Sequence, residues 1–134
     1  MKYCWLAILS AVVVCGAGCE TLGTSRQTQA ELDVAVKLQF KDIPWPAGFV
    51  FEPGKSYSHW KDAYRFCRLN FKGPDDVYSV ARFYRKQMLI VDWQLDSETF
   101  DGGVKRLEFE KGDERAVVEI SARGGKTYLK VEVR

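Results

Sequence analysis

An uncharged apolar run from Tyr3 to Val14, followed by Cys15-Gly16-Ala17-Gly18-Cys19, divides this chain into a leader and a remainder. With Lys2 ahead of it, the run suits the hydrophobic region of a signal peptide, about 7–15 residues, and falls short of the about 20 residues a membrane-spanning helix needs. The expected leader is residues 1–18, cut before Cys19. That cut constrains the fold: Cys4 and Cys15 go with the leader, Cys19 becomes the first residue, and Cys67 alone is left inside the domain. No intrachain disulfide can then hold the fold, so the remaining 116 residues have to bury an apolar core. Their length corresponds to one domain.

Gly16-Ala17-Gly18-Cys19 resembles the bacterial lipoprotein signal, in which small residues precede a modified cysteine; Gly16 stands where Leu or Val is usual. The resemblance implies a diacylglyceryl thioether on Cys19 and, after cleavage, an acylated amine carrying a palmitate-type chain. One acyl chain binds a membrane marginally, whereas two or more anchor it stably. The partner implied first is therefore a membrane, with the protein facing the periplasm or the cell exterior. Glu20, where aspartate is the retention signal for the inner membrane, favours the outer membrane.

Residues 19–30 read as the lipidated cysteine and a polar flexible tether, and residues 31–134 as a single α+β domain. Leu32, Val34, Val36, Leu38 and Phe40 alternate with Asp33, Ala35, Lys37 and Gln39, as in a half-buried strand, although the Ala, Glu and Lys content also permits a helix. Prolines 44 and 46 stiffen the segment before a short strand at Phe49-Val50-Phe51. A strand over Tyr64 to Phe71 follows, placing Cys67 on one face with Leu69 and Phe71. Val77, Val80, Ala81, Tyr84, Met88 and Val91 form a helical stripe behind Pro74-Asp75-Asp76, which predicts one long helix over about 74–91. Strands at Gln94 to Phe100, Val104 to Lys111, Arg115 to Ala122 and Thr127 to Val133 complete an antiparallel sheet of five to seven strands with that helix packed across it. Tyr128, Lys130, Glu132 and Arg134 alternate outward on the last strand, which could end the sheet as an edge whose charges discourage unwanted pairing.

Residues 43–134 are similar to a family of small envelope lipoproteins of unknown function. The resemblance rests on Pro44-Trp45-Pro46-Ala47-Gly48, Gly73, Phe83-Tyr84-Arg85-Lys86-Gln87-Met88, Trp93 and Leu107-Glu108-Phe109-Glu110-Lys111. The chain departs from it at Leu89, where proline is usual, and at Asp92, where glycine is usual. Those departures imply a helix that runs further and a blunter turn into Trp93. The family supplies no catalytic residues.

The composition excludes several functions. With Lys2 removed, 19 basic residues face 18 acidic ones, so no positive excess marks a nucleic-acid surface. His59 is the only histidine, and zinc needs three or four converging ligands. Neither a metal nor another cofactor is expected. His59 is expected in an exposed loop, Ser56 and Ser58 are too close to it for a packed triad, and Asp75-Asp76 read as a helix cap. The expected function is thus non-enzymatic: a lipid-anchored envelope module binding an envelope protein or a cell-wall partner. Candidate contact residues are Trp45, Trp60, Phe83, Tyr84 and Trp93, since interfaces are enriched in aromatics. The alternative is a carrier for a small apolar ligand held between helix and sheet, with Phe83, Tyr84 and Trp93 at its mouth.

Overall fold

The protein is represented by a computed structural model that describes residues 28–134. The leader, Cys19 and residues 19–27 of the tether lie outside the described residues. An antiparallel sheet of seven strands carries the fold: β1 (Val50–Phe51), β2 (Tyr57–Lys61), β3 (Tyr64–Gly73), β4 (Gln94–Asp101), β5 (Val104–Lys111), β6 (Glu114–Arg123) and β7 (Lys126–Val133). The spatial order is β1-β3-β7-β6-β5-β4, with β2 pairing β3 on the side that β1 also uses. The α+β class and the antiparallel sheet therefore stand as expected.

The expected single long helix gives way to two, α1 (Gln29–Gln39) and α2 (Val77–Ile90). Residues 31–42, left open between strand and helix, form most of α1 and the turns after it. The cause is local. The Thr28 hydroxyl accepts from the Glu31 amide and the Glu31 carboxylate accepts from the Thr28 amide, a reciprocal capping box that satisfies two donors orphaned at a helix start. On a helix an apolar period of two scatters side chains around the axis. Val36 accordingly packs against the core, while Val34 and Leu38 are left exposed.

Helix α2 is shorter than expected at both ends. Asp76 is its N-cap, its carboxylate accepting from the Tyr78 and Ser79 amides, so Pro74 and Asp75 precede the helix. At the other end the Trp93 amide donates to Met88 O at 3.0 Å and the Asp92 amide to Leu89 O at 3.3 Å. Asp92 adopts φ +68. This is a Schellman ending with aspartate in the left-handed position usually held by glycine. The helix neither runs on nor turns more bluntly.

The stripe Val80, Ala81, Tyr84 and Met88 lies buried between α2 and the sheet. It meets Leu107, Phe109, Val118, Ile120, Leu129 and Val131, all at most 1% exposed. Cys67 belongs to this core at 3% exposure, on one face with Leu69 and Phe71 as expected. Burial pushes its thiol up to about 11, which keeps it protonated and unreactive at neutral pH. Strand β7 is no edge: β3 flanks it on one side and β6 on the other. Edge positions fall to β4 and to the β1–β2 side.

Candidate binding surface

The expected contact residues do not converge. Tyr84 and Trp93 are fully buried. The Tyr84 hydroxyl donates to Pro44 O at 2.9 Å and Trp93 Nε1 donates to Asp42 O at 2.9 Å, so each polar tip is satisfied inside the protein. Phe83 packs edge-on against Tyr84 with ring centroids 5.3 Å apart. Trp45 donates from Nε1 to Phe49 O and meets Phe71 edge-on at 4.6 Å, with Lys37 Nζ 4.8 Å from its ring. These four rings stitch the proline-rich segment and α2 to the sheet. Of the five candidates only Trp60, at 53% exposure, presents most of its ring to solvent.

Trp60 lies on β2, in a segment expected as loop. Tyr57–Lys61 pairs with Tyr64–Arg68 around Asp62-Ala63, and Asp62 takes φ +55. Aspartate tolerates that left-handed turn position better than most residues. His59 is thus exposed as expected, but on a strand. Every residue of β2 is exposed, so no alternation of burial marks it. The ladder between β3 and β7 begins only at Cys67 opposite Val133, leaving Tyr64, Arg65 and Phe66 beyond the reach of β7. The β2–β3 hairpin overhangs the end of the sheet.

Register assigns the faces of this overhang. Tyr57, His59, Lys61, Tyr64, Phe66 and Arg68 share the side away from α2, while Ser58 and Trp60 share the side of Cys67. Tyr57 and Tyr64 are each 55% exposed and Phe66 44%. Arg68 sits 5.4 Å from the Tyr57 ring, within cation–π range. Tyr57, Tyr64 and Phe66 thus give one face of the protruding ribbon an apolar surface with a polar surround, the kind of patch found at interaction sites, while Trp60 is exposed on the other face.

The root of the hairpin is held by charge. The Arg65 guanidinium, 7% exposed, donates from Nη1 to Asp42 at 2.7 Å and from Nε to Glu114 at 2.6 Å. Lys111 donates to Val91 O at 2.9 Å and lies 3.6 Å from Asp42. Burial alone would raise the Asp42 pKa, but the Arg65 hydrogen bond and charge, with Lys111, hold it below the usual carboxylate range. The same carboxylates raise the pKa of Arg65. The cluster ties the segment before β1 to β3, β5 and β6 through matched charges, so the hairpin projects from a rigid base.

Among the described residues no three His, Cys, Asp or Glu side chains gather as metal ligands, and no helix is long and apolar enough to cross a membrane. A profile of a START domain-like family matches residues 67–127, less than half of the chain, from Cys67 of β3 through α2 and β4–β6 to the start of β7. No curated protein and no solved structure matches the chain.

Proposed function

We propose that this protein is a lipid-anchored, non-enzymatic lipoprotein of the cell envelope that binds an envelope protein or a cell-wall partner through its β2–β3 hairpin. Cys19 carries the lipid, the tether ends before the Thr28 cap of α1, and the domain that begins there faces the periplasm or the exterior, with the outer membrane favoured by Glu20. The observation that carries the binding half is the overhanging hairpin, whose Tyr57, Trp60, Tyr64 and Phe66 are each between 44% and 55% exposed. Each ring is already about half buried, so covering the remainder contributes about half of the roughly 1.5–3 kcal/mol of full burial, before the cost of association.

The second reading, an apolar carrier, draws on the START-like match, which is compatible with ligand binding. The packing weighs against it. Tyr84, Met88 and Trp93 are completely buried where the ligand would lie, so α2 would have to swing away and expose them.

Photo-crosslinking residues placed at Trp60 and Tyr64 of the full chain in intact cells test the binding half, with Arg82, exposed on α2, as control. A discrete adduct from both hairpin positions and none from Arg82 supports it. The same scatter of abundant proteins from all three sites removes it. Mass spectrometry of the mature N-terminus tests the anchor, expecting an acylated Cys19; an unmodified chain beginning at Met1 refutes it.

A further inference from the structure

On the sheet face away from α2, the end opposite the hairpin holds a groove of about 600 Å³, within the range of small-ligand sites. Its floor is built from side chains of β3, β7 and β6: Asn70, Tyr128, Lys130, Glu119 and Ser121. The 3-10 turn of residues 53–55 supplies Lys55 at one wall, and the Gly102-Gly103 turn between β4 and β5 stands at the other. The Tyr128 ring lies 5.0 Å from the Arg123 guanidinium and 5.7 Å from Lys55 Nζ.

The charge of this end differs from that of the rest of the face. In the middle, Arg68, Lys130, Arg106 and Arg115 are matched by Glu132, Glu119, Glu108 and Glu110 in one connected chain of ion pairs. At the groove, register places Lys72 beside Tyr128, and Lys126 opposite Arg123, on the same outward side. Among the described residues Lys72, Arg123 and Lys126 form no ion pair, whereas Lys55 is paired with Glu52 and Lys130 with Glu119. The groove and its rim thus carry five cations (Lys55, Lys72, Arg123, Lys126 and Lys130) against three carboxylates (Glu52, Glu119 and Asp101, which register places on the same outward side beside Gly102), so positive charge is in local excess here.

We infer that this groove binds an anionic sugar, a hydroxyl-rich ring bearing a carboxylate or phosphate. Tyr128 lines the floor with Arg123 and Lys55 over its ring, Asn70, Ser121 and Glu119 offer hydrogen bonds to hydroxyls, and Arg123 with its neighbouring lysines meets the acid group. Other occupants fit less well. The floor strands β3, β7 and β6 are paired on both edges here, so an acidic peptide cannot add as a strand. Single-stranded nucleic acid is gripped by successive stacking rings, and this groove holds one. A flat lipid surface does not enter a concavity walled on two sides. The inference is independent of the anchor and of the hairpin's partner.

Titration of the full chain with glucuronate, glucose and inorganic phosphate, followed by calorimetry, tests it. Glucuronate is expected to bind with a Kd of about 1 mM or tighter and glucose at least about tenfold more weakly. Arg123→Gln and Tyr128→Leu should each weaken glucuronate about tenfold, and Arg82→Gln should leave it unchanged. Arg123 is exposed, so its variant remains informative even if Tyr128→Leu loses stability. The proposal is overturned if glucuronate fails to bind, if neither groove substitution weakens it, or if phosphate alone binds as tightly, which would make the groove a bare anion patch.

Discussion

Arg65 is the residue on which the most segments depend, because Asp42, Glu114, Trp93 and Lys111 all gather around it. Removing one partner of a buried ion cluster strands the others, at a cost of about 3–5 kcal/mol. Arg65→Gln should therefore lower stability by about 3 kcal/mol in urea at neutral pH, since both carboxylates keep some contact with water. The pH dependence follows from Asp42. Its folded pKa is depressed, so its contribution is present above the unfolded value of 3.8 and is lost as pH falls through the folded value. In the variant the Arg65 hydrogen bond and charge no longer oppose the burial of Asp42, and only Lys111 and the backbone hydrogen bond still lower its pKa. The gap between wild type and variant should narrow on going from about pH 7 to about pH 3; a constant gap would mean that packing, not charge, accounts for the loss. Gly73 makes a second residue-scale demand. A Cβ built there would overlap the Phe49 ring, and such overpacking costs about 1–3 kcal/mol. Gly73→Ala should lose that amount in chemical denaturation, and most of it should return when Phe49→Leu is combined with it.

Among the elements, α2 shows most plainly how a departure from a familiar pattern is absorbed. The Schellman ending places Asp92 at φ +68, a conformation that costs a residue with a Cβ roughly 1–2 kcal/mol and glycine far less. Asp92→Gly should raise stability by about 1 kcal/mol, a few degrees in Tm for a domain of this size. A fall would show that the Asp92 side chain stabilises the turn by a local hydrogen bond. Helix α1 and strand β2 are the elements least legible in the sequence, and for opposite reasons. The alternation from Leu32 to Phe40 carries a strand period, yet the capping box at Thr28 and Glu31 makes a helix; T-x-x-E ahead of the apolar residues was the available signal. Strand β2 buries nothing, so it leaves no period at all, and only Asp62-Ala63 between two aromatic stretches hints at a hairpin. Strands β5, β6 and β7 and the stripe of α2 were readable because each has one face in the core and one in water.

At the scale of the molecule the sheet is asymmetric, and the sequence carries that asymmetry only in part. The inward residues of β3, β6 and β7 announce a core through their alternation, but the outward Arg, Lys and Glu residues read merely as solvated. Their pairing depends on register between strands far apart in sequence, as where Arg68 meets Glu132. For the same reason Tyr128 and Arg123 could not be read as a site, and Trp93, outside the α2 stripe that marks Tyr84 as core, could not be told from an exposed ring. Folding turns those outward charges into a chain of ion pairs crossing β3, β7, β6 and β5. Val117 lies beneath it, 1% exposed although it faces away from α2, because the long stems of its neighbours cover it. This cover lets the face go without a helix. Glu119 is the link to cut, since it joins Arg106 to Lys130. Desolvation raises its pKa, but Lys130 and Arg106 outweigh that and hold it below its ordinary value. Exposed pairs are each worth about 0.2–1 kcal/mol, so Glu119→Gln should cost about 1 kcal/mol at low salt. At about 1 M salt the screening length shrinks to roughly 3 Å, and wild type and variant should then unfold at nearly the same urea concentration. If the difference persists at high salt, the stems over Val117 rather than the charges stabilise this face, and Glu119→Leu should then match or exceed the wild type.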